Sequence, residues 1–265
     1  MSARPLGRSL AVLAAVISAI AIPAIQMTQN IGLTAAEFSS QGDQTLRVAG
    51  YAFSIWGLIY FGLTAYAIYQ LTMARETPTL RAVAWPSVVA ITGCGAWILA
   101  SAFNQQALTV AIIVASAAVM VAGLRRARAE EAPAFRDKLL IVWPLSLLAG
   151  WLTIASAVNI LTVLTAQGII GPDLTWAVIG IAAVLLVGGA VGWALGSPFY
   201  LAPIIWGLGG VYVAQQADKP TAAWLAAACT PSPALNWVWP PGRRMNSTRL
   251  RATARATSTP RSAST

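Results

Sequence analysis

The chain has 265 residues, of which 57% are hydrophobic and 9% are charged, whereas a soluble domain carries about 25% charged residues. This composition excludes an ordinary soluble protein and indicates a polytopic membrane protein, with the lipid bilayer as a partner. The net charge of +9 does not predict a nucleic-acid partner, because the basic residues fall in short loops and a tail. The sequence contains no histidine, which excludes a His-ligated haem, a His-based metal site and a Ser-His-Asp triad.

Apolar runs long enough to cross a bilayer recur along the whole chain. About 20 residues of α-helix cross a hydrocarbon core about 30 Å thick. The first run follows basic residues, as in a signal peptide, but it continues without an obvious cleavage site, so a first helix is favoured. Seven helical spans and half of an eighth are predicted at 9–29, 50–70, 84–103, 107–124, 139–166, 174–195, 199–214 and 221–230.

The second span, Gly50–Gln70, is uncharged and rich in aromatic residues. Phe53, Trp56 and Tyr60 are spaced i, i+3 and i+7, so they share one helical face. A plain membrane anchor needs only aliphatic residues, so these rings predict packing against a flat apolar object. Two interpretations remain open, namely the wall of a ligand site and an aromatic seam between helices with an interfacial belt.

The fifth span carries a second spaced set of side chains. Trp151, Ala155 and Asn159 recur every four residues and therefore share a face. A buried asparagine needs hydrogen-bond partners and holds helices in register, or it contacts a ligand. The missing N–H and the ring of Pro144 are expected to bend this span.

The basic residues predict the orientation of the chain. With the N-terminus in the cytoplasm, nine lie inside and two outside through residue 219, which fits the excess of Lys and Arg in cytoplasmic loops. The inside set is Arg4, Arg8, Arg75, Arg81, Arg125, Arg126, Arg128, Arg136 and Lys138, and the outside set is Arg47 and Lys219.

The C-terminal region changes character abruptly. The half-span at 221–230 runs into prolines, and residues 240–265 have the composition of a disordered basic tail. The break suggests a truncated or altered terminus and leaves open whether residues 221–239 cross the membrane.

The predicted spans contain no Asp, Glu, Lys, Arg or His. Proton relays, ion-coupled transport and voltage sensing usually need such groups at membrane depth, and so does acid–base catalysis. We therefore predict no catalytic residues and no enzyme activity, although the loop carboxylates Glu37 and Asp43 leave a membrane enzyme open. Cys94 and Cys229 lie in apolar segments and are predicted to be buried free thiols.

The motifs in spans two and five resemble those of the TspO/MBR family, the tryptophan-rich sensory and translocator proteins. The resemblance covers about residues 8–166 and is closest to longer bacterial members. It implies an all-α integral membrane fold with a five-helix core and two to three additional C-terminal transmembrane helices. The expected units are a core at 1–166, additional helices at 167–239 and the tail at 240–265.

The same resemblance implies a cavity that takes a porphyrin (tetrapyrrole) or a sterol-like molecule, in a sensor or carrier of the bacterial inner membrane. No metal or covalent cofactor is implied, and a homodimer is left open. The expected ligand-binding residues are Phe53, Trp56, Tyr60, Trp97, Asn104, Trp151, Ala155 and Asn159.

The alternative function is a secondary transporter of small neutral or amphipathic metabolites. Transporters are often built from internal repeats, and the segment Ile55–Leu58 recurs as Ile205–Leu208.

Overall fold

The computed structural model describes residues 6–43, 45–72, 76–130 and 133–228, and these form helices without any strand among them. Numbered in chain order, the helices are α1 (Leu6–Thr28), α2 (Ala35–Ser40), α3 (Ile55–Thr72), α4 (Pro78–Ala102), α5 (Gln106–Ala129), α6 (Phe135–Ala166), α7 (Leu174–Leu195), α8 (Pro198–Gln215) and α9 (Pro220–Ala228).

Six of the described helices, α1 and α3 to α7, are long and apolar enough to cross a membrane. This confirms the predicted all-α integral membrane fold. Helix α8 has 18 residues and corresponds to the predicted span at 199–214, but it is not among these six. Helix α9 ends at Ala228. The prediction for residues 221–239 therefore falls largely outside the described residues. Cys229 and the tail lie outside them as well.

Helix α6 is the centre of the bundle. It packs against α3, α5, α7 and α8, and 56% of its most apolar stretch is buried, against 28% to 39% in the other five long helices. A helix surrounded by other helices has no lipid-facing side, so its small and polar residues contact neighbouring helices instead. The face predicted from Trp151, Ala155 and Asn159 belongs to this helix.

The irregularity expected at Pro144 takes the form of a widened turn. Residues Lys138–Val142 form a π-helical segment, in which the N–H of Trp143 donates to the carbonyl of Lys138. Pro144 cannot donate a backbone hydrogen bond, and its ring would clash with the carbonyl four residues earlier in a regular α-helix. The π segment relieves that clash one residue before the proline.

The predicted start of the third span was wrong because local capping extends the helix. Thr77 caps α4 and Pro78 occupies its first turn, so this helix begins well before residue 84. The second span begins with a 3₁₀ turn at Gly50–Ser54, and the α-helix starts only at Ile55. Some helices are longer than predicted, so charged residues lie in their terminal turns. Arg81 lies in the first turns of α4. Asp137 lies near the start of α6, is 6% exposed, and accepts a hydrogen bond from the Tyr69 hydroxyl at 2.8 Å.

A loop connects α1 to the 3₁₀ turn and is described at residues 29–43 and 45–49. It covers the end of the bundle opposite the start of α1, and we call it the far-end loop. The sequence predicted no helix between the spans at 9–29 and 50–70, but this segment contains α2, which begins with a capping box between Thr34 and Glu37. A Cβ on Gly42 would lie 2.4 Å from the Thr162 Cα of α6, so the loop backbone lies directly against the central helix.

Helices α6 and α8 approach each other most closely at Gly150. A Cβ at this position would lie 2.0 Å from the backbone oxygen of Tyr200 in α8. The Thr153 hydroxyl, one turn later on α6, is 2.9 Å from the Tyr200 hydroxyl. The helices that follow residue 166 therefore pack on the core through a contact that requires a glycine.

Replacing Gly150 tests this contact. We expect Gly150→Ala to lower the free energy of unfolding by about 1–3 kcal/mol, because the added methyl group meets backbone atoms. Gly189→Ala on α7 is the matched control, since nothing lies within 4 Å of a Cβ there. Thermal unfolding in a neutral detergent should show a lower Tm for the first variant alone. Equal Tm values for Gly150→Ala and the wild type would contradict the close packing.

Candidate functional site

A cavity of about 660 Å³ lies inside the bundle, between α1, α3, α4, α5 and α6 and beneath the far-end loop. One residue of α8, Gly207, also lines it. Small-molecule sites in proteins commonly measure about 300–1,000 Å³ and are mostly apolar with a few polar groups. The volume and the position of this cavity therefore suit a small hydrophobic ligand.

Seven of the eight predicted site residues line this one cavity. They come from three separate parts of the chain, namely the second span (the 3₁₀ turn with α3), α4 and α6. These residues are Phe53, Trp56, Tyr60, Trp97, Trp151, Ala155 and Asn159. Contact of these residues with a ligand stays a prediction.

The aromatic residues on the α3 and α6 walls form one connected cluster. Trp151 is 5% exposed and lies edge-on to Phe53, with ring centroids 6.2 Å apart, and to Trp56, at 6.3 Å. Trp56 stacks on Tyr60 at 5.1 Å with 28° between the ring planes. Edge-on and offset contacts are the favoured arrangements of aromatic pairs, so this wall is held in place without a ligand.

Asn159 joins three helices beside the cavity. Its Oδ1 accepts from the Trp97 indole N–H of α4 at 3.3 Å, and its Nδ2 donates to the Thr109 hydroxyl of α5 at 3.1 Å. Asn159 is 5% exposed and lines the cavity together with Trp97, so its amide lies at the cavity wall. These contacts show the register-holding role that was one of the two interpretations of this residue.

The structure does not bring Asn104 to the cavity with the other seven predicted residues. It is exposed in the turn between α4 and α5, where its φ of 54° places the backbone in the left-handed region. Asparagine is one of the few residues that adopt this conformation readily, so the turn accounts for its presence. A neutral polar residue near a helix end fits both a ligand site and a turn, so the sequence did not distinguish these two roles.

Two charged residues of the far-end loop also line the cavity, Asp43 and Arg47, and we call this part the mouth. The Asp43 side chain is half-buried, whereas that of Arg47 is 45% exposed. Burial raises the pKa of the Asp43 carboxyl, and the Arg47 charge opposes that rise. The mouth therefore adds two charged residues to the neutral and aromatic residues that the sequence predicted for the site, and the carboxylate is not sealed from solvent.

Glu37, the other loop carboxylate, caps the start of α2 and is not part of the cavity lining. It is exposed, and the Thr34 backbone N–H donates to it at 2.7 Å, which lowers the pKa of the Glu37 carboxyl. The capping box orients α2 so that Phe38 is buried edge-on against Trp97, with centroids 5.9 Å apart. Phe38 was missed, although Thr34-x-x-Glu37 before it is a sequence signal for a helix start.

The described residues contain no cluster of three His, Cys, Asp or Glu side chains that could hold a metal ion. Cys94, which lines the cavity, is a buried free thiol that donates to the Ala90 carbonyl of its own helix.

Comparison with known proteins gives a single family. The family model described as "TSPO-like protein" matches residues 9–239. The match extends past residue 166, so α7 and α8 lie within it together with the first five long helices. No curated protein and no solved structure matches the chain.

The role of Asn159 can be tested by its removal. We expect Asn159→Ala to lower the free energy of unfolding by about 1–3 kcal/mol, because the Trp97 N–H loses its buried acceptor and the Thr109 hydroxyl loses a donor. Asn104→Gly is the control, since glycine tolerates a positive φ in an exposed turn. Thermal unfolding and tryptophan emission would measure both variants. An unchanged Tm for Asn159→Ala would show that the three-helix junction does not depend on this amide.

Proposed function

This chain belongs to the TSPO-like protein family, and on that basis we propose that its cavity binds a planar hydrophobic ligand, with a porphyrin first and a sterol-like molecule second. The protein acts as a membrane-embedded sensor or carrier of that ligand. The observation that carries this proposal is the convergence of seven aromatic, small and amide side chains on one cavity of about 660 Å³.

The aromatic wall supports a flat ligand over a flexible aliphatic one. Each 100 Å² of apolar surface that leaves water contributes roughly 2.5 kcal/mol. A ligand that arrives from the bilayer gains little of this energy, because lipid tails are as apolar as the cavity. Ring–ring contacts, worth about 0.5–1.5 kcal/mol each beyond burial, would then distinguish a planar ligand from lipid.

The secondary transporter is less well supported. Ion-coupled transport usually needs ionisable groups at membrane depth. In the helices as described, charged residues occur only within the first or last few residues, such as Arg8 in α1 and Arg128 in α5. Gradient-driven uptake of a small metabolite into proteoliposomes would favour the transporter over the sensor or carrier.

We also propose that the protein lies in a bacterial inner membrane with its N-terminus in the cytoplasm. The far-end loop and the mouth of the cavity would then face the extracytoplasmic side. The support is the distribution of basic residues, because Arg8, Arg81 and the cluster at Arg125–Arg128 all lie at the opposite end of the bundle.

Tryptophan fluorescence tests the ligand directly. Etioporphyrin, a porphyrin without charged side chains, should quench the emission of the purified protein in a saturable manner. The double variant Trp56→Ala, Trp151→Ala should weaken its Kd by about tenfold or more, since two ring contacts are lost. No saturable quenching of the wild-type protein would refute the proposal.

The matched control removes two tryptophans that lie outside the cavity. Trp85 on α4 and Trp193 on α7 are 59% and 76% exposed on the outer surface of the bundle. The variant Trp85→Ala, Trp193→Ala should lose as many indoles and keep a Kd within twofold of the wild-type value. An equal loss in both double variants would place the porphyrin on the outer surface rather than in the cavity.

A further inference from the structure

We propose that the mouth of the cavity is a subsite for a protonated amine, so that the Asp43 carboxylate favours those planar hydrophobic ligands that carry a positive charge. This inference rests on the proposed function and specifies which planar ligands the site prefers. It starts from the contacts of the two charged residues that line the cavity, Asp43 and Arg47.

The Asp43 carboxylate is the unsatisfied member of that pair. Its side chain accepts no hydrogen bond and forms no ion pair with the residues that the structure describes. It is nevertheless half-buried, and burial raises the pKa of its carboxyl group. A carboxylate that has lost part of its water and accepts no hydrogen bond from the described residues is stabilised by a cation that brings its own hydrogen-bond donors.

Arg47 is already occupied by contacts within the protein. Its guanidinium donates to the Ala214 carbonyl at 2.7 Å and to the Asp218 carboxylate at 3.2 Å, both at the end of α8 or just beyond it. An acidic ligand would have to compete with Asp218 for Arg47 and would also approach Asp43. The charges at the mouth therefore favour a cationic group over an anionic one.

The cavity wall adds to the same preference. The faces of tryptophan and tyrosine rings attract cations, and Trp56, Tyr60 and Trp97 line the cavity that Asp43 enters. Apolar burial does not distinguish the cavity from the bilayer, so a charged group at the mouth supplies selectivity that the rings alone lack. An aromatic amine, with a flat ring system and one positive charge, satisfies both parts of the site.

Three probes with one ring system test the charge preference. Acridine is neutral at pH 7, 9-aminoacridine is cationic and acridine-9-carboxylate is anionic. With the full-length protein in a neutral detergent, we expect 9-aminoacridine to bind about fivefold to tenfold tighter than acridine, and the carboxylate to bind weakest. Equal affinities for acridine and its amine, or tightest binding of the carboxylate, would overturn the proposal.

Matched variants assign the preference to one carboxylate. Asp43→Asn should abolish the preference for the amine over acridine. Asp173→Asn is the control: it removes the same charge at the same end of the bundle, outside the cavity lining, and asparagine still caps α7. A preference that survives in Asp43→Asn would also overturn the proposal.

The neutral probe separates the two proposals. If acridine and etioporphyrin bind but the amine has no advantage, the amine subsite fails and the planar-ligand function stands. If none of the acridines and no porphyrin binds in a saturable manner, both fail.

Discussion

The cavity depends on the two hydrogen bonds of the Asn159 side chain. A side-chain amide buried in a membrane bundle is stabilised by hydrogen-bond partners on neighbouring helices. Here the partners are the Trp97 indole on α4 and the Thr109 hydroxyl on α5. These bonds fix α4 and α5 against α6 in one register and hold the Trp97 ring at the cavity wall. The aromatic cluster around Trp151 completes the opposite part of that wall through ring contacts alone.

The sequence predicted the parts of the site that lie on single helices. The four-residue spacing of Trp151, Ala155 and Asn159 defines a helical face whatever surrounds it. The three aromatic residues of the second span were likewise predicted to share a face, and all three line the cavity although Phe53 belongs to a 3₁₀ turn rather than to α3. Local periodicity was therefore sufficient for these residues.

The remaining parts of the site depend on contacts between distant segments, which periodicity does not encode. The sequence predicted no structure for the far-end loop, yet tertiary contacts such as Thr45 with Thr165 position it over the cavity. Asp43 enters the lining because of that placement. Asn104 shows the opposite error, since a polar residue near a helix end fits both a site and a turn, and only its positive φ identifies the turn.

The far-end loop, which carries the mouth of the cavity, is attached to the last described helices, whereas the aromatic wall belongs to α3 and α6. The loop backbone bonds to α8 through the Ala49 N–H and the Gly210 carbonyl at 3.0 Å, and the Lys219 ammonium donates to the Thr45 carbonyl at 2.8 Å. Any movement of this loop that widens the entrance has to break such bonds, which lie outside the aromatic wall. Under the proposed function, these bonds to the C-terminal helices would contribute to the rate at which a ligand exchanges, whereas the rings of α3, α4 and α6 would contribute to its equilibrium occupancy.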